Sequence, residues 1–311
     1  MLNNHEVLYV AFGYEYLLMA AHSAKTAKSH NQGIKCTLIT NMNFDNQNLK
    51  PETPFDRVIF IDKSSELNRE IKTNVIKYAS GDYCVYIDCD TEVLGSFDPI
   101  FRCLDVFDIA MKINVRTTPK VYEIAPGIPY NLFPAWNAGV IFFKNNRKVA
   151  RFFEKWSVFY REEGRTHDQP TLARAIYNNA DLKLLTLNNI WNTFPEDVKL
   201  LRGNYREARI WHYREPNYWP QVAPAILAMH NLFAPSLSDP KGLLREEMAI
   251  VEQRYKLLAT KLYKFCVRYP LLIRGFKIYV KIFAKLGRIK KVKLTREIHL
   301  AGVDYETRRI R

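Results

Sequence analysis

The sequence predicts an α/β fold with an open, mainly parallel sheet, followed by a basic helical segment. In the first two thirds of the chain, strand-length segments rich in β-branched and aromatic residues alternate with helix-length segments. Positive charge is concentrated at the other end: residues 241–311 carry 19 Lys and Arg against 6 Asp and Glu, whereas residues 1–240 carry 27 against 26. We therefore predict a near-neutral globular domain at 1–240 and a separate basic region at 241–311.

Composition places the chain among cytosolic globular proteins. Its 311 residues, 48% of them hydrophobic, can bury a sizeable core. The five cysteines are odd in number and show no metal-type spacing, which favours reduced core residues. Residues 1–6 lack the basic and apolar regions of a signal peptide. No apolar run reaches the length of a membrane span, so we expect a cytoplasmic protein.

The first elements follow the α/β pattern in order. Strands are predicted at residues 6–11, 35–40 and 57–61, and helices at 15–29 and 64–79. A further strand covers residues 83–87. Because strands that alternate with helices pair in parallel, ligands are expected at the carboxyl ends of these strands.

Two acidic residues, Asp88 and Asp90, directly follow the strand at residues 83–87. Side chains alternate along a strand, so both should project from one face while Cys89 faces the other way. Neighbouring carboxylates raise each other's pKa unless a cation lies between them. Carboxylate oxygens suit Mg²⁺ or Mn²⁺, which keep coordination places for substrate phosphates. The pattern therefore predicts a divalent-metal site, with two solvated acids of a turn as the alternative.

Three residues near the same edge are candidates for binding a nucleotide. Tyr14 follows the first strand and is either a ring that stacks on a base or a tyrosine of a surface turn. Arg69 and Lys72 are three apart on the helix predicted at 64–79, so they should share a face that binds phosphate or is simply solvated. The chain has no Gly-rich dinucleotide fingerprint and no P-loop, which argues against dehydrogenases and nucleoside triphosphatases.

Later segments add polar residues at strand and helix ends. A strand is predicted at 108–113 and an irregular acceptor-binding loop at 116–133. The strand at 136–143 begins with Asn137 and Gly139, where small residues allow a ligand to approach the backbone. Asp168 and Pro170 open a helix, Asp168 as its predicted cap. His212 ends the strand predicted at 208–213 and is either a manganese ligand or a structural histidine.

The order of these segments resembles the nucleotide-sugar-dependent glycosyltransferases of the GT-A fold. The motifs are Asp-x-Asp after a buried strand, Asn-Ala-Gly-Val-Ile-Phe-Phe, His-Asp-Gln-Pro-Thr-Leu and Trp-His-Tyr, within about residues 5–220. The likeness is greatest to family 8, which includes bacterial lipopolysaccharide galactosyl- and glucosyltransferases and glycogenin. It implies a Rossmann-like GT-A fold, a UDP-sugar donor and Mn²⁺ (or Mg²⁺).

The resemblance also implies residue roles. Asp88, Asp90 and His212 would hold the metal, and Asp168 and Gln169 would lie beside the anomeric carbon as the catalytic pair. The donor-binding set would be Ala11, Tyr14, Arg69, Lys72, Asp88, Asn137 and Gly139. One departure is that the family continues its metal-binding histidine with Gly and then Lys-Pro-Trp, whereas His212 is followed by Tyr213 and Arg214. Arg214 is the candidate substitute for the missing pyrophosphate lysine.

The basic region has a helical pattern of its own. Residues 253–296 hold 14 basic and no acidic side chains. One stripe within residues 271–288 repeats at spacings of three and four residues and lies along a wide apolar face: Arg274, Lys277, Lys281, Lys285 and Arg288. An earlier helix is predicted at about 243–267. The pattern favours contact of residues 254–296 with an anionic membrane, against packing on the body or, without a recognised motif, nucleic-acid binding.

Together these observations lead us to expect a hexosyltransferase at the inner face of the membrane. It would transfer a hexose from a UDP-sugar to a glycan or glycolipid acceptor, with retention, in cell-surface polysaccharide or lipopolysaccharide synthesis. We expect no nucleic-acid partner. One alternative is a non-catalytic peripheral membrane protein with the same fold. Another is a phosphohydrolase of the haloacid dehalogenase type, which would have Thr or Val at the position of Glu92 and its motif near the N-terminus.

Overall fold

The computed structural model describes residues 4–44, 52–61, 68–114, 123–129, 132, 134–164, 167–194, 197, 208–213, 219–237, 243–260 and 263. The chain divides into two compact units, Met1–His212 and Tyr213–Arg311. This division falls earlier than the change in charge at residue 240, and the domain limits 1–240 and 241–311 stay a prediction.

The first unit is built on a seven-stranded sheet with the order β10-β6-β9-β4-β1-β2-β3. Its strands are β1 (His5–Ala11), β2 (Lys35–Thr40), β3 (Arg57–Phe60), β4 (Tyr83–Ile87), β6 (Ile109–Ile113), β9 (Trp136–Lys144) and β10 (Leu184–Leu187). All neighbouring pairs are parallel except those of β9, which runs antiparallel to both β4 and β6. The predicted α/β class is confirmed, but parallel pairing is not complete: β9 is antiparallel to both neighbours, and the described residues between β6 and β9 include no crossover α-helix.

The direction of β9 matters for the site. In an antiparallel neighbour the first residues of the strand, not the last, lie at the edge where parallel strands end. Val140 pairs with Ile87, and the Asp88 N–H donates to the Gly139 carbonyl over 2.8 Å. The start of β9 therefore lies beside the end of β4.

Two short sheets accompany the main one. β5 (Thr91–Val93) pairs antiparallel with β11 (Ile210–His212). β7 (Glu123–Ala125) and β8 (Ile128–Pro129) form a hairpin within the predicted acceptor loop at 116–133, of which 116–122, 130, 131 and 133 lie outside the described residues. Gly127 turns this hairpin with a φ of 73°, a conformation that glycine adopts at low cost.

Helices α1 (Tyr14–His30), α3 (Asp98–Cys103), α4 (Arg147–Glu162) and α5 (Asp168–Tyr177) complete the first unit together with the short α2 (Asn68–Lys72). α1 begins after Gly13, whose φ of 88° requires glycine. Small buried residues of α1, such as Ala20 and Ala24, allow a helix to pack closely. Buried α4 side chains, including Phe152 and Trp156, join the main core with sheet residues.

The helix predicted at 64–79 is wrong in part. α2 ends at Lys72, and a separate 3₁₀ turn covers Val75–Tyr78. Thr73 and Val75 are β-branched and disfavour a continuous α-helix, and the Thr73 hydroxyl donates to the Glu70 carbonyl over 2.8 Å. The break follows Lys72 directly, and it ends the helix at the edge of the sheet where the acidic residues lie.

Cysteine burial agrees with the predicted reduced state. Cys36, Cys84 and Cys89 are buried thiols, Cys103 is half-buried, and Cys266 lies outside the described residues. Burial raises the pKa of the Cys36 thiol to about 12, so it is protonated and unreactive.

The second unit contains α6 (Trp219–Phe233), which includes Pro224, and α7 (Leu243–Leu258), which pack against each other. α7 starts where the sequence predicted a helix but ends at Leu258. Among the described residues, none of the helices combines the length and apolarity that crossing a bilayer requires. The basic stripe predicted within residues 271–288 lies outside the described residues.

Candidate active site

A group of two carboxylates and one imidazole lies where β4 ends. Asp88, Asp90 and His212 each offer one ligand atom, all within 4.8 Å of one another. His212 Nε2 is 3.8 Å from Asp88 Oδ2 and 3.5 Å from Asp90 Oδ1. Two donors bound side by side to one cation are about 3 to 3.6 Å apart, so small adjustments complete a site. The residues predicted as metal ligands are therefore brought together.

The local backbone explains this convergence. Asp88, Cys89 and Asp90 form the turn between β4 and β5, closed by a hydrogen bond from the Thr91 hydroxyl to the Asp88 carbonyl (2.9 Å). Cys89 is buried, and its thiol donates to the Val10 carbonyl, as the predicted alternation requires. Antiparallel pairing places His212 opposite Thr91. The imidazole thus reaches the acidic turn from the neighbouring strand.

Lys72 links Asp88, one of the three possible metal ligands, to the carboxylate of Asp168. Its Nζ lies 3.0 Å from Asp88 Oδ1 and 3.1 Å from Asp168 Oδ2. Burial alone would lower the pKa of Lys72, but the two carboxylates outweigh it and raise that pKa, so the amine stays charged. Burial would raise the pKa of Asp88, but Lys72, His212 and the Tyr86 hydroxyl (2.6 Å) hold it below its usual value.

Asp168 and Gln169 are the first residues of α5. The predicted cap is wrong, because His167 is the N-cap and the Asp168 carboxylate instead binds Lys72. Trp156 fixes this helix end by donating from Nε1 to the Asp168 carbonyl over 2.9 Å. Gln169 is half-buried, and its Oε1 accepts from Asn114 Nδ2 over 2.8 Å.

Gly139 leaves room for the whole group. A Cβ added there would lie 2.8 Å from Asp88 Oδ2, 2.8 Å from His212 Cε1 and 2.9 Å from Asn137 Oδ1. Real Cβ atoms do not approach so closely, so any side chain at position 139 would displace Asp88, His212 or Asn137. The buried Asn137 in turn accepts from the Gly139 N–H over 2.7 Å.

His212 is 2% exposed in its side chain and is packed between other groups. The Phe194 ring stacks on the imidazole with centroids 4.5 Å apart and planes 10° apart, while Asn192 Oδ1 contacts Nδ1 over 2.5 Å. Burial alone would lower the pKa of His212. Hydrogen bonds and charges from Asp88 and Asp90 outweigh burial, so the pKa is raised above its usual value. A bound cation would replace the proton that these carboxylates attract.

The residues predicted to bind the donor differ in how exposed their side chains are. Tyr14 is fully buried, which argues against both stacking of its ring on a base and a position in a surface turn; its donor-binding role stays a prediction. Tyr16 is 48% exposed, and the nearby Asp90 contributes, after burial, to its raised pKa. Arg69 is exposed whereas Lys72 is buried, so they do not present one shared basic face. Ala11 is buried at the end of β1.

Four contact residues were missed by sequence reasoning, namely Tyr86, Asn114, Asn192 and Phe194. Tyr86 could have been found, because it precedes Asp88 by two positions and shares its face. Asn114 could also have been found, because it directly follows β6 at the same sheet edge. Asn192 and Phe194 carry no signal, since they lie in irregular structure after a 3₁₀ turn at Asn189–Trp191. Arg214 lies outside the described residues.

Comparison with known proteins agrees with this architecture. The bifunctional glycosyltransferase WbbM in its apo form superposes with a TM-score of 0.52 at 12% identity, covering 75% of this chain and 52% of that one. The body of this chain has the GT-A fold. The chain spans about half the length of WbbM, and identity this low shows the fold alone.

Two further solved structures are similar at slightly lower TM-scores. The galactosyltransferase LgtC, in complex with donor and acceptor sugar analogues, gives 0.49 at 17% identity, covering 78% of this chain and 99% of that one. The glycosyltransferase GlyE of Streptococcus pneumoniae gives 0.49 at 14% identity, covering 82% and 64%. No protein-family model and no curated protein sequence matches the chain.

Proposed function

We propose that this protein is a metal-dependent glycosyltransferase that transfers a hexose from a UDP-sugar to a glycan or glycolipid acceptor. The observation that carries the proposal is the position of Lys72, which lies within 3.1 Å of both Asp88 and Asp168. It joins a metal-binding group to a second carboxylate at the carboxyl edge of a GT-A sheet. Such an edge is where α/β folds bind nucleotides.

The donor set fits a divalent cation that accepts both oxygen and nitrogen. Carboxylates suit Mg²⁺ and Mn²⁺, and the imidazole of His212 favours Mn²⁺. Bound by Asp88, Asp90 and His212, the ion would neutralise the charge that develops on a departing nucleoside diphosphate. Lys72 pairs with both Asp88 and Asp168, so the charges of these two carboxylates are partly balanced within the protein.

The remaining predicted site residues would contact the sugar. The Asp168 carboxylate and the Gln169 amide begin α5, held by Trp156, and would stabilise positive charge developing at the anomeric carbon. Asn137 and Gly139 give the sugar a polar wall with little steric bulk. Holding the acceptor hydroxyl against that carbon is a positioning contribution that can account for a large part of the acceleration. Retention and a role in cell-surface polysaccharide or lipopolysaccharide synthesis rest on the sequence resemblance.

Nucleotide release tests the activity. We would incubate the protein with UDP-, GDP- and dTDP-sugars, with and without Mn²⁺, and measure the released nucleoside diphosphate for wild type and Asp90→Asn. Manganese-dependent release from one donor, absent in the variant, would identify the donor. Absence of release from every donor, together with absence of donor binding in calorimetry, would favour the non-catalytic alternative.

We also propose that the protein is cytoplasmic and that residues 254–296 bind it to the inner face of an anionic membrane. The support is the basic stripe of the sequence, which would lie along an apolar helix face. Liposome flotation of the full chain tests it. Replacing Lys277, Lys281 and Lys285 by Gln should release the protein, whereas the same charge change at Lys290, Lys291 and Lys293 should release less. Equal flotation of the stripe variant and wild type would contradict the proposal.

A further inference from the structure

A continuous chain of side-chain hydrogen bonds connects the two halves of the site. Its first two links are Asn114 Nδ2 to Gln169 Oε1 and Asn137 Nδ2 to Asn114 Oδ1, both 2.8 Å. Asn192 Nδ2 then donates to Asn137 Oδ1 over 2.9 Å, and Asn192 Oδ1 contacts His212 Nδ1 over 2.5 Å. The chain therefore runs from the predicted catalytic amide to a predicted metal ligand.

One backbone group sets the direction of this chain. The Gly139 N–H contacts Asn137 Oδ1 over 2.7 Å. A backbone N–H can only donate, so this Asn137 atom is an oxygen. The Asn192 group that faces the same oxygen must then be the NH₂ group, which leaves Asn192 Oδ1 toward His212. An amide oxygen cannot donate, so His212 Nδ1 must carry a hydrogen.

The consequence appears at the other ring nitrogen. With the hydrogen on Nδ1, the neutral imidazole has its lone pair on Nε2, the atom that lies 3.5 Å from Asp90 Oδ1 and 3.8 Å from Asp88 Oδ2. Only this tautomer can bind a cation shared with the two carboxylates. Without a partner on Nδ1, the carboxylates would attract the hydrogen to Nε2 and block the ligand atom.

We propose that Asn192 is a positioning residue that fixes His212 in the Nδ1–H tautomer and so prepares Nε2 for a metal ion. The use of this tautomer rests on the proposed metal-dependent function, but the tautomer itself does not. Asn192 is fully buried, and its backbone carbonyl accepts from Lys112 Nζ over 2.9 Å. Lys112 also lies 4.9 Å from the centroid of the Phe194 ring that stacks on His212. Asn192 and the imidazole are thus held by the same buried cluster.

Three substitutions separate this role from a general structural one. Asn192→Leu keeps the branching at Cγ but offers no acceptor to Nδ1. Asn192→Asp keeps an acceptor toward Nδ1, replaces the donor to Asn137 by a carboxylate oxygen and adds a negative charge, while Asn137 still accepts from the Gly139 N–H. Asn178→Leu is the control, because Asn178 is exposed at the C-terminal end of α5 and its side chain donates to the Arg174 carbonyl, away from His212.

The first measurement is the ¹⁵N spectrum of histidine-labelled, metal-free protein at alkaline pH, with His212 assigned by its loss in His212→Gln. Wild type, Asn192→Asp and Asn178→Leu should show a protonated Nδ1 and an unprotonated Nε2, whereas Asn192→Leu should show protonation moved to Nε2. A wild-type imidazole protonated at Nε2, or an unchanged spectrum in a folded Asn192→Leu, would overturn the proposal.

The second measurement is the affinity for Mn²⁺, followed by electron paramagnetic resonance of the free ion without any sugar donor. Loss of a group that orients a metal ligand weakens binding about 10- to 100-fold, so we expect a loss in this range for Asn192→Leu and near wild-type affinity for the other two variants. Equal affinity of Asn192→Leu and wild type would overturn the positioning role. Absence of Mn²⁺ binding by wild type would instead contradict the proposed metal dependence and leave the tautomer result standing.

Discussion

Substitution of Gly139 by alanine should disable metal binding without unfolding the protein. The added methyl carbon would lie 2.8 Å from both Asp88 Oδ2 and His212 Cε1. Optimal contact needs about 3.5 Å, so these atoms must retreat by about 0.7 Å. Metal sites keep their ligand distances within about 0.2 Å. We therefore expect Mn²⁺ affinity to fall at least 10- to 100-fold, which equals about 1.4 to 2.8 kcal/mol of binding free energy.

The assay is a Mn²⁺ titration of wild type and Gly139→Ala, with circular dichroism and urea unfolding on the same samples. Gly33→Ala is the matched control: its φ of 76° strains an alanine, but a Cβ there meets nothing within 4 Å. It should lower the free energy of unfolding by roughly 1 to 2 kcal/mol and leave Mn²⁺ affinity unchanged. Wild-type affinity in Gly139→Ala would refute the steric reasoning.

Three further predictions concern charge. Asp88→Asn and Asp90→Asn should each abolish sugar transfer while circular dichroism stays native; activity in either variant would contradict the metal assignment. Lys72→Met leaves Asp88 and Asp168 without their cationic partner and should lower the free energy of unfolding by about 1 to 3 kcal/mol. The loss should be smaller than for a fully buried pair, because Asp88 is partly exposed. Lys72→Arg is the control, and an unchanged urea midpoint in Lys72→Met would refute the prediction. Burial lowers the pKa of His22 from 6.5 to about 4, so the unfolded state binds this proton first and wild type should lose up to about 3 kcal/mol of stability between pH 6.5 and pH 4. His22→Gln should show a smaller difference in urea midpoint between pH 7 and pH 4, and an equal difference would count against this role.

The fold class and the acidic pair were predictable from short-range patterns, whereas His212 entered the predicted metal set through the order of motifs that resembles the GT-A glycosyltransferases. Alternation along β4 fixes which face Asp88 occupies, and the carboxyl-edge rule places it among possible ligands. The direction of β9 was less accessible, because periodicity identifies a strand but not its neighbours. The break after Lys72 depended on local β-branched residues against an otherwise helical pattern.

Residue roles that depend on burial or on long-range contact could not be read from the sequence. Tyr14 and Tyr16 have the same chemistry two positions apart, yet only the packed structure shows that Tyr14 is buried and Tyr16 exposed. Likewise the sequence predicts Asp168 as a helix cap, whereas in the structure its carboxylate binds Lys72, which lies on a different helix. Asn192 belongs to a segment without periodicity, so its contact with His212 could not be predicted from the sequence.

The strand β11 gives the metal group a place in the order of folding. Asp88 and Asp90 are synthesised roughly 120 residues before His212, which ends the first unit. A chain still emerging from the ribosome therefore displays an acidic turn without its imidazole. A cation bound by all three residues would hold the two ends of this long loop together and would stabilise the folded chain, because the unfolded chain does not bring these ligands together. A cation held by all three residues would therefore bind only after β11 has paired with β5.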